Sequence, residues 1–161
     1  MLHSYVQGGW CVVIQKDTDT LIINPTIDNF QQKQRLDEYV NAQTIYTYGD
    51  DCIDDSTVAC FSLECMDSCL LIMVDDVRIV YHCRDFPIDK WLVALDPDLL
   101  FVDMDIGFDN ACDIASIVKA KTVVPINVKS TDDPIGFCRE VMLHHRWVPK
   151  YLKPGQYIVH S

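Results

Sequence analysis

The chain has 161 residues, 49% apolar and 23% charged, which suits one globular domain spanning residues 1–161. Its net charge of −11 and 13 scattered basic residues argue against tight binding of duplex nucleic acid, which needs clustered Lys and Arg. No apolar run approaches the roughly 20 residues of a membrane span, and Met1 to Gly9 lacks the features of a signal peptide. We therefore expect a cytoplasmic or otherwise intracellular protein with no membrane partner.

The eight cysteines are expected to be reduced, buried and structural, because most of them fall inside predicted strands or helices and no secretory signal is present. Cys65 and Cys69 form a C-x3-C pair. This spacing is a weak zinc signal, since no second Cys or His pair stands at a familiar distance from it.

The first half of the chain consists of β-branched and apolar runs separated by turn residues, a pattern typical of strands. Tyr5 to Ile14 and Thr20 to Asn24 predict a β-hairpin, and Asp28 is placed to cap a helix from about Asn29 to Tyr39. Further strands are predicted over Thr44 to Tyr48, Val58 to Leu63, Cys69 to Val74 and Val77 to His82, the last two joined by a turn at Asp75-Asp76.

The second half predicts an α/β crossover unit, in which the strands Leu99 to Val102 and Thr122 to Ile126 flank a helix. Asn110 is the expected cap of that helix, and its buried face is predicted to hold Ala111, Ile114, Ala115 and Val118.

A second helix is predicted from Pro134 to about His145, because Asp133 and Pro134 are favoured at helix starts. Its inward face is expected to hold Phe137, Cys138, Val141 and Met142. Terminal strands are predicted over Trp147 to Tyr151 and Gln156 to His160.

Three stretches carry a family resemblance: GGWCVVIQKDTDTLIINPTID (Gly8 to Asp28), KAKTVVPINV (Lys119 to Val128) and YLKPGQYIV (Tyr151 to Val159). The chain resembles the compact metal-dependent hydrolase branch of the metallo-β-lactamase-fold superfamily, over most of its length and most weakly from Asp50 to Asp76. The resemblance implies an α/β (α+β) fold, a shortened four-layer αββα-like sandwich.

In the resembling family a strand ending in Thr is followed by His-x-His-x-Asp-His, which holds two metal ions that turn water into hydroxide. If Thr47 matches that Thr, the ligand positions fall on Tyr48, Asp50, Cys52 and Ile53, none of which is His. The interval from Val58 to Asp76, where the third motif would lie, contains no His.

The later motifs are mostly altered as well. The bridging Asp of the family matches Asp85, whereas its last His matches Asn127 and the Asp of its opening Ile-Asp-Pro matches Asn24. One carboxylate cannot hold a dinuclear pair, so the resemblance implies a degenerate member with no expected cofactor.

The candidate pocket combines these positions with nearby polar residues: Tyr48, Asp50, Cys52, His82, Arg84, Asp85, Asp103, Asp105 and Asn127. Asp50, His82 and Asp85 could form a rebuilt site for one divalent zinc or manganese ion, although a half-buried strand histidine is the commoner case. The carboxylates at Asp103, Asp105 and Asp109 invite a calcium interpretation. An EF-hand, however, needs Gly and Glu where this chain has Phe108 and Ile114.

Three functions follow as hypotheses. The first is a catalytically inactive scaffold that binds a small ligand, conceivably nucleotide-like, or a protein partner; the candidate anion contacts are Arg84, Lys119, Lys129 and Arg139. The second is a metal-dependent hydrolase or phosphodiesterase with a remodelled mononuclear site. The third is a structural subunit of a homo-oligomer, with Trp10, Trp91 or Trp147 at the interface.

Overall fold

The computed structural model describes residues 2–8, 11–23, 44–46, 56–58, 60–65, 69–82, 96–144, 148–152 and 156–160. The strands in this part of the chain are β1 (Leu2–Gly8), β2 (Cys11–Lys16), β3 (Asp19–Ile23), β4 (Thr44–Tyr46), β5 (Ser56–Val58), β6 (Phe61–Cys65), β7 (Cys69–Val74), β8 (Val77–His82), β9 (Leu99–Asp103), β10 (Thr122–Ile126), β11 (Val148–Pro149) and β12 (Tyr157–His160). A 3-10 helix covers Met104–Ile106, and the α-helices are α1 (Phe108–Val118) and α2 (Pro134–His144).

The first sheet has five strands in the order β12-β1-β2-β3-β4, antiparallel except for the parallel pair β3 and β4. The prediction of one strand from Tyr5 to Ile14 was wrong. That run belongs to two antiparallel strands, β1 and β2, with Gly8 opposite Cys11. The Gly8-Gly9 pair is a turn signal that the surrounding apolar run concealed.

The second sheet has seven strands in the order β11-β10-β9-β8-β7-β6-β5. Strands β5 to β8 form an antiparallel meander, whereas β8 to β11 are parallel. The bounds predicted for β7, β8 and β10 are confirmed. The single strand predicted over Val58 to Leu63 was wrong, because Val58 pairs with Phe61 across a turn that contains Cys60.

Alternating side chains of the second sheet supply two apolar clusters, one on each face. The cluster between the sheets joins Val12, Ile14 and Leu21 of the first sheet to Phe101 and Ile126 of the second. The opposite face of the second sheet packs under the two α-helices. Strand β9 is therefore buried along its whole length, which explains its continuous apolar sequence.

Helix α1 forms the crossover connection between the parallel strands β9 and β10. The predicted inward face is confirmed, since Ala111, Ile114, Ala115 and Val118 are all buried. The prediction of Asn110 as the cap was wrong: Gly107 occupies the N-cap position, and Asn110 Nδ2 donates to the Ile106 carbonyl one turn earlier.

Helix α2 begins as predicted, with the Gly136 amide donating to Asp133 Oδ1 at 2.8 Å. Phe137 and Val141 are buried, but the inward placement of Met142 was wrong because that side chain is 65% exposed. Successive helical residues differ by about 100°, so Met142 cannot share the direction of Val141. The helix predicted over 29–39 lies outside the described residues.

No helix among the described residues combines the length and the apolar character that crossing a bilayer requires. Cys60, Cys69, Cys112 and Cys138 are free thiols. Cys60 is exposed, contrary to the expectation of burial, because the strand predicted around it is a hairpin turn.

Candidate functional site

Three of the candidate residues lie at the carboxyl-terminal edge of neighbouring parallel strands. His82 ends β8, Asp103 ends β9 and Asn127 directly follows β10. Ligands of open parallel sheets bind in the crevice outside this edge, where the loops that leave the strands diverge. The topology therefore gathers these residues in the region where a binding site is expected.

Asp103 and Asn127 are in direct contact. Asn127 Nδ2 donates to Asp103 Oδ1 at 3.1 Å, and the backbone amide of Asp105 donates to the same oxygen at 2.9 Å. Both side chains are buried, Asp103 with 3% and Asn127 with 9% of its surface exposed. Asn127 has a φ of 52°, a left-handed conformation that Asn adopts more readily than most residues.

A second contact at this edge joins Lys129 to Asp105. The Lys129 ammonium forms an ion pair with Asp105 Oδ1, and its hydrogen bond with that carboxylate raises the pKa of Lys129 above 10.5. Lys129 is also held through its backbone, because its amide donates to Asp132 Oδ2 at 2.8 Å. Both members of the ion pair are roughly half-exposed, so solvent screens their attraction.

His82 belongs to the face of the second sheet that packs under the helices, opposite to the face that holds Asp103. It pairs in register with Cys69 and Val102, which belong to the apolar cluster beneath the helices. Side chains alternate along a strand, so Asp103 lies on the same face as Leu99 and Phe101, which pack between the two sheets. His82 is buried, and the structure does not bring it together with Asp103 in one set of ligands.

Of the positions that the resemblance assigns to metal ligands, Asn127 is the one that lies among the described residues. In the described part of the chain, no three His, Cys, Asp or Glu side chains are grouped closely enough to hold an ion. Asn127, at the position that the resemblance assigns to the last family histidine, has its amide nitrogen turned to Asp103, so only its amide oxygen is left to approach a cation. The remaining pocket predictions lie outside the described residues: Tyr48, Asp50, Cys52, Arg84 and Asp85.

The calcium-like spacing does not form an EF-hand loop. Asp103 and Asp105 flank the start of the 3-10 helix, whereas Asp109 is exposed in the first turn of α1. The carboxylates are thus spread over a strand end and two helix starts. They do not follow one continuous twelve-residue loop.

The candidate anion contacts do not converge in the described part of the chain. Lys119 caps the C-terminus of α1, next to the start of β10, and so lies at the edge away from Asn127. Arg139 is exposed on α2, and Lys129 contacts Asp105. Sequence reasoning proposed Lys129 and Asp105 separately and missed their contact. Each lies two residues after a member of the contacting pair Asn127 and Asp103.

The tryptophans proposed for an interface, Trp10, Trp91 and Trp147, fall outside the described residues.

No protein-family model matches the sequence, and no curated protein matches it. Solved structures do match. A metallo hydrolase from the hyperthermophilic archaeon Ignicoccus hospitalis has a TM-score of 0.73 at 9% identity, covering 99% of this chain and 98% of that one. The metallo-β-lactamase fold protein YhfI from Bacillus subtilis has a TM-score of 0.70 at 11% identity, covering 99% and 100%.

A diphosphatase from the PhnP family has a TM-score of 0.63 at 12% identity, covering 100% of this chain and 98% of its own. At such identities the likeness concerns the fold, and it extends over essentially the whole of each chain. The two sheets, the covering helices and these matches agree with the resemblance seen in the sequence. The chain has the metallo-β-lactamase fold.

Proposed function

We propose that this chain is a binding protein that uses a metallo-β-lactamase scaffold without the metal-activated hydrolysis of the related enzymes. The observation that carries the proposal is the hydrogen bond from Asn127 to Asp103. The position that the resemblance assigns to a metal-binding imidazole holds an amide, and that amide is engaged as a donor to a buried carboxylate.

The sequence supports the same proposal at positions that the structure does not describe. Tyr48, Asp50, Cys52 and Ile53 stand where the resemblance places the ligand box, and none is His. Imidazole nitrogens are preferred ligands of zinc and related cations, so their loss from these positions removes most of the donor set. Asp85 alone retains a family carboxylate.

The proposed ligand is a small polar molecule bound at the carboxyl edge of β8, β9 and β10. The half-exposed carboxylate of Asp105 favours a ligand that donates hydrogen bonds. A nucleotide-like ligand would depend on Arg84, since Lys119 and Arg139 lie elsewhere and Lys129 contacts Asp105.

The second candidate is a hydrolase with a mononuclear site. It is favoured by the solved structures that share the fold, among them a metallo hydrolase and a diphosphatase. In this chain such an enzyme would rely on Asp85 with Asp50, Cys52 or His82.

Hydrolysis of bis(4-nitrophenyl) phosphate with added zinc or manganese separates the two candidates. The binding proposal predicts no turnover above the rate of the metal alone, and the same rate for wild type and Asp85→Ala. Titration with adenosine, followed by backbone amide signals, should shift Met104–Ile106 in the wild type but not in Asn127→Leu. Metal-dependent turnover that Asp85→Ala abolishes would favour the hydrolase.

A further inference from the structure

Two side-chain contacts extend the pairing of β9 and β10 beyond the last residues of the strands. Asn127 donates to Asp103, and Lys129 donates to Asp105, each across 24 positions of sequence. The ladder itself ends where Asp103 pairs with Ile126. In both contacts the donor follows β10. The carboxylates lie at the last residue of β9, Asp103, and in the following 3-10 helix, Asp105. We call these four residues the edge clamp.

In the edge clamp, N–H donors and one positive charge take the part that a bound cation could otherwise play, which is to hold the carboxylates in place. Carboxylates from one segment need positive charge or N–H donors to hold them against the next strand. Here the amide of Asn127 and the ammonium of Lys129 meet one carboxylate each. Asp103 Oδ1 accepts a further hydrogen bond from the Asp105 amide, so a cation at this oxygen would have to displace two donors.

We propose that the edge clamp holds the β9 and β10 loops together without a metal ion, in the place where the resembling hydrolases use one. Asn127 and Lys129 are positioning residues in this scheme, because they fix the carboxylates and the backbone around them. The inference concerns the cohesion of the edge at which the proposed ligand would bind, and its test measures stability rather than ligand binding.

The substitution Asn127→Asp tests the clamp at nearly constant shape, because it replaces the donating amide by an acceptor. Two carboxylates would then meet, which is unfavourable without a cation and favourable with one. Asn127→Ala is the matched control, since it removes the donor and adds no ligand. A single substitution should therefore create a dependence on metal that the wild type lacks.

Thermal unfolding near neutral pH, with EDTA or with excess manganese chloride, gives the readout. The wild-type midpoint should agree between the two conditions to about 1 °C. Asn127→Asp should unfold about 5 °C lower in EDTA and recover most of that loss with manganese, whereas Asn127→Ala should be lowered equally in both. Equal midpoints for wild type and Asn127→Asp in EDTA would overturn the clamp.

Two further results bear on the clamp. A manganese-induced gain of several degrees in the wild type that Asp103→Asn abolishes would overturn it, even in a protein without phosphodiester turnover. Lys129→Gln changes an exposed side chain and should fold. It should speed hydrogen exchange at the Asp105 amide about threefold or more while leaving the centre of α1 unchanged, and unchanged exchange at Asp105 would also overturn the clamp.

Discussion

Lys16 at the end of β2 and Asp75 in the β7–β8 turn form an ion pair that joins the two sheets, with Lys16 Nζ 2.8 Å from Asp75 Oδ2. Asp75 precedes β8, so this contact lies at the edge opposite to the one where β8 ends at His82. The hydrogen bond with Asp75 raises the pKa of Lys16 above 10.5. The two ends of the sandwich are thus held by different polar contacts.

Replacing Lys16 by Met should lower the unfolding midpoint only slightly, because Asp75 is exposed and solvent and salt therefore screen the ion pair. The pKa of Lys16 is higher in the folded state than in the unfolded state. The stabilisation is therefore fully present below about pH 10.5 and is lost as the pH rises through the folded-state value. The midpoints of thermal unfolding of the wild type and Lys16→Met should converge in strong alkali and in concentrated salt. A difference between the two midpoints that persists under both conditions would contradict this role.

Any side chain at Gly107 is predicted to lower the free energy of unfolding. Its φ of 98° and ψ of 152° lie in a region that glycine alone adopts readily. A Cβ there would meet no atom closer than Asn110 Nδ2 at 4.0 Å, so the cost of Gly107→Ala comes from the backbone. Urea unfolding should show a loss of about 1–3 kcal/mol.

Asp113→Ala is the control for that experiment, since Asp113 is exposed on α1 and should change stability by less than about 0.5 kcal/mol. A Gly107→Ala variant as stable as the wild type would show that the link between the 3-10 helix and α1 can adopt another backbone conformation.

Cys60 should react slowly with alkylating agents although it is exposed. Desolvation, followed by a hydrogen bond to Asp19, raises the pKa of its thiol to about 11. The thiolate is the nucleophile, so carboxymethylation near pH 7.5 should be about ten- to a hundredfold slower than that of an unperturbed cysteine. Mass spectrometry of the peptide should show the rate rising until about pH 11, and faster reaction in Asp19→Asn. Rapid labelling at neutral pH would contradict this environment.

The elements that sequence reasoning predicted best are those bounded by clear turn signals. Strands β7 and β8 flank Asp75-Asp76, and α1 shows its four buried residues at helical spacing. The errors arose between Gly8 and Cys11 and at Cys60, where the chain passes from one strand to its antiparallel partner inside an apolar run. Local patterns also could not orient Met142, because its direction depends on where α2 lies on the sheet.

For the site, the sequence located Asp103 and Asn127 correctly at strand ends, but it could not reveal their hydrogen bond. That contact depends on the register between β9 and β10, which brings residues 24 positions apart together. The face taken by His82 likewise depends on its pairing with Cys69 and Val102. The contact between Lys129 and Asp105 arises in the loops beyond the strands, where no periodic pattern applies.

The central claim, that the carboxyl edge works without a metal, is tested most directly by the metal content of protein purified without chelators. The protein would be supplemented with zinc and manganese, passed through gel filtration and analysed by mass spectrometry. We predict well below one equivalent of metal per chain, unchanged in Asp103→Asn and Asp85→Ala. Two equivalents retained by the wild type and lost in these variants would contradict the account.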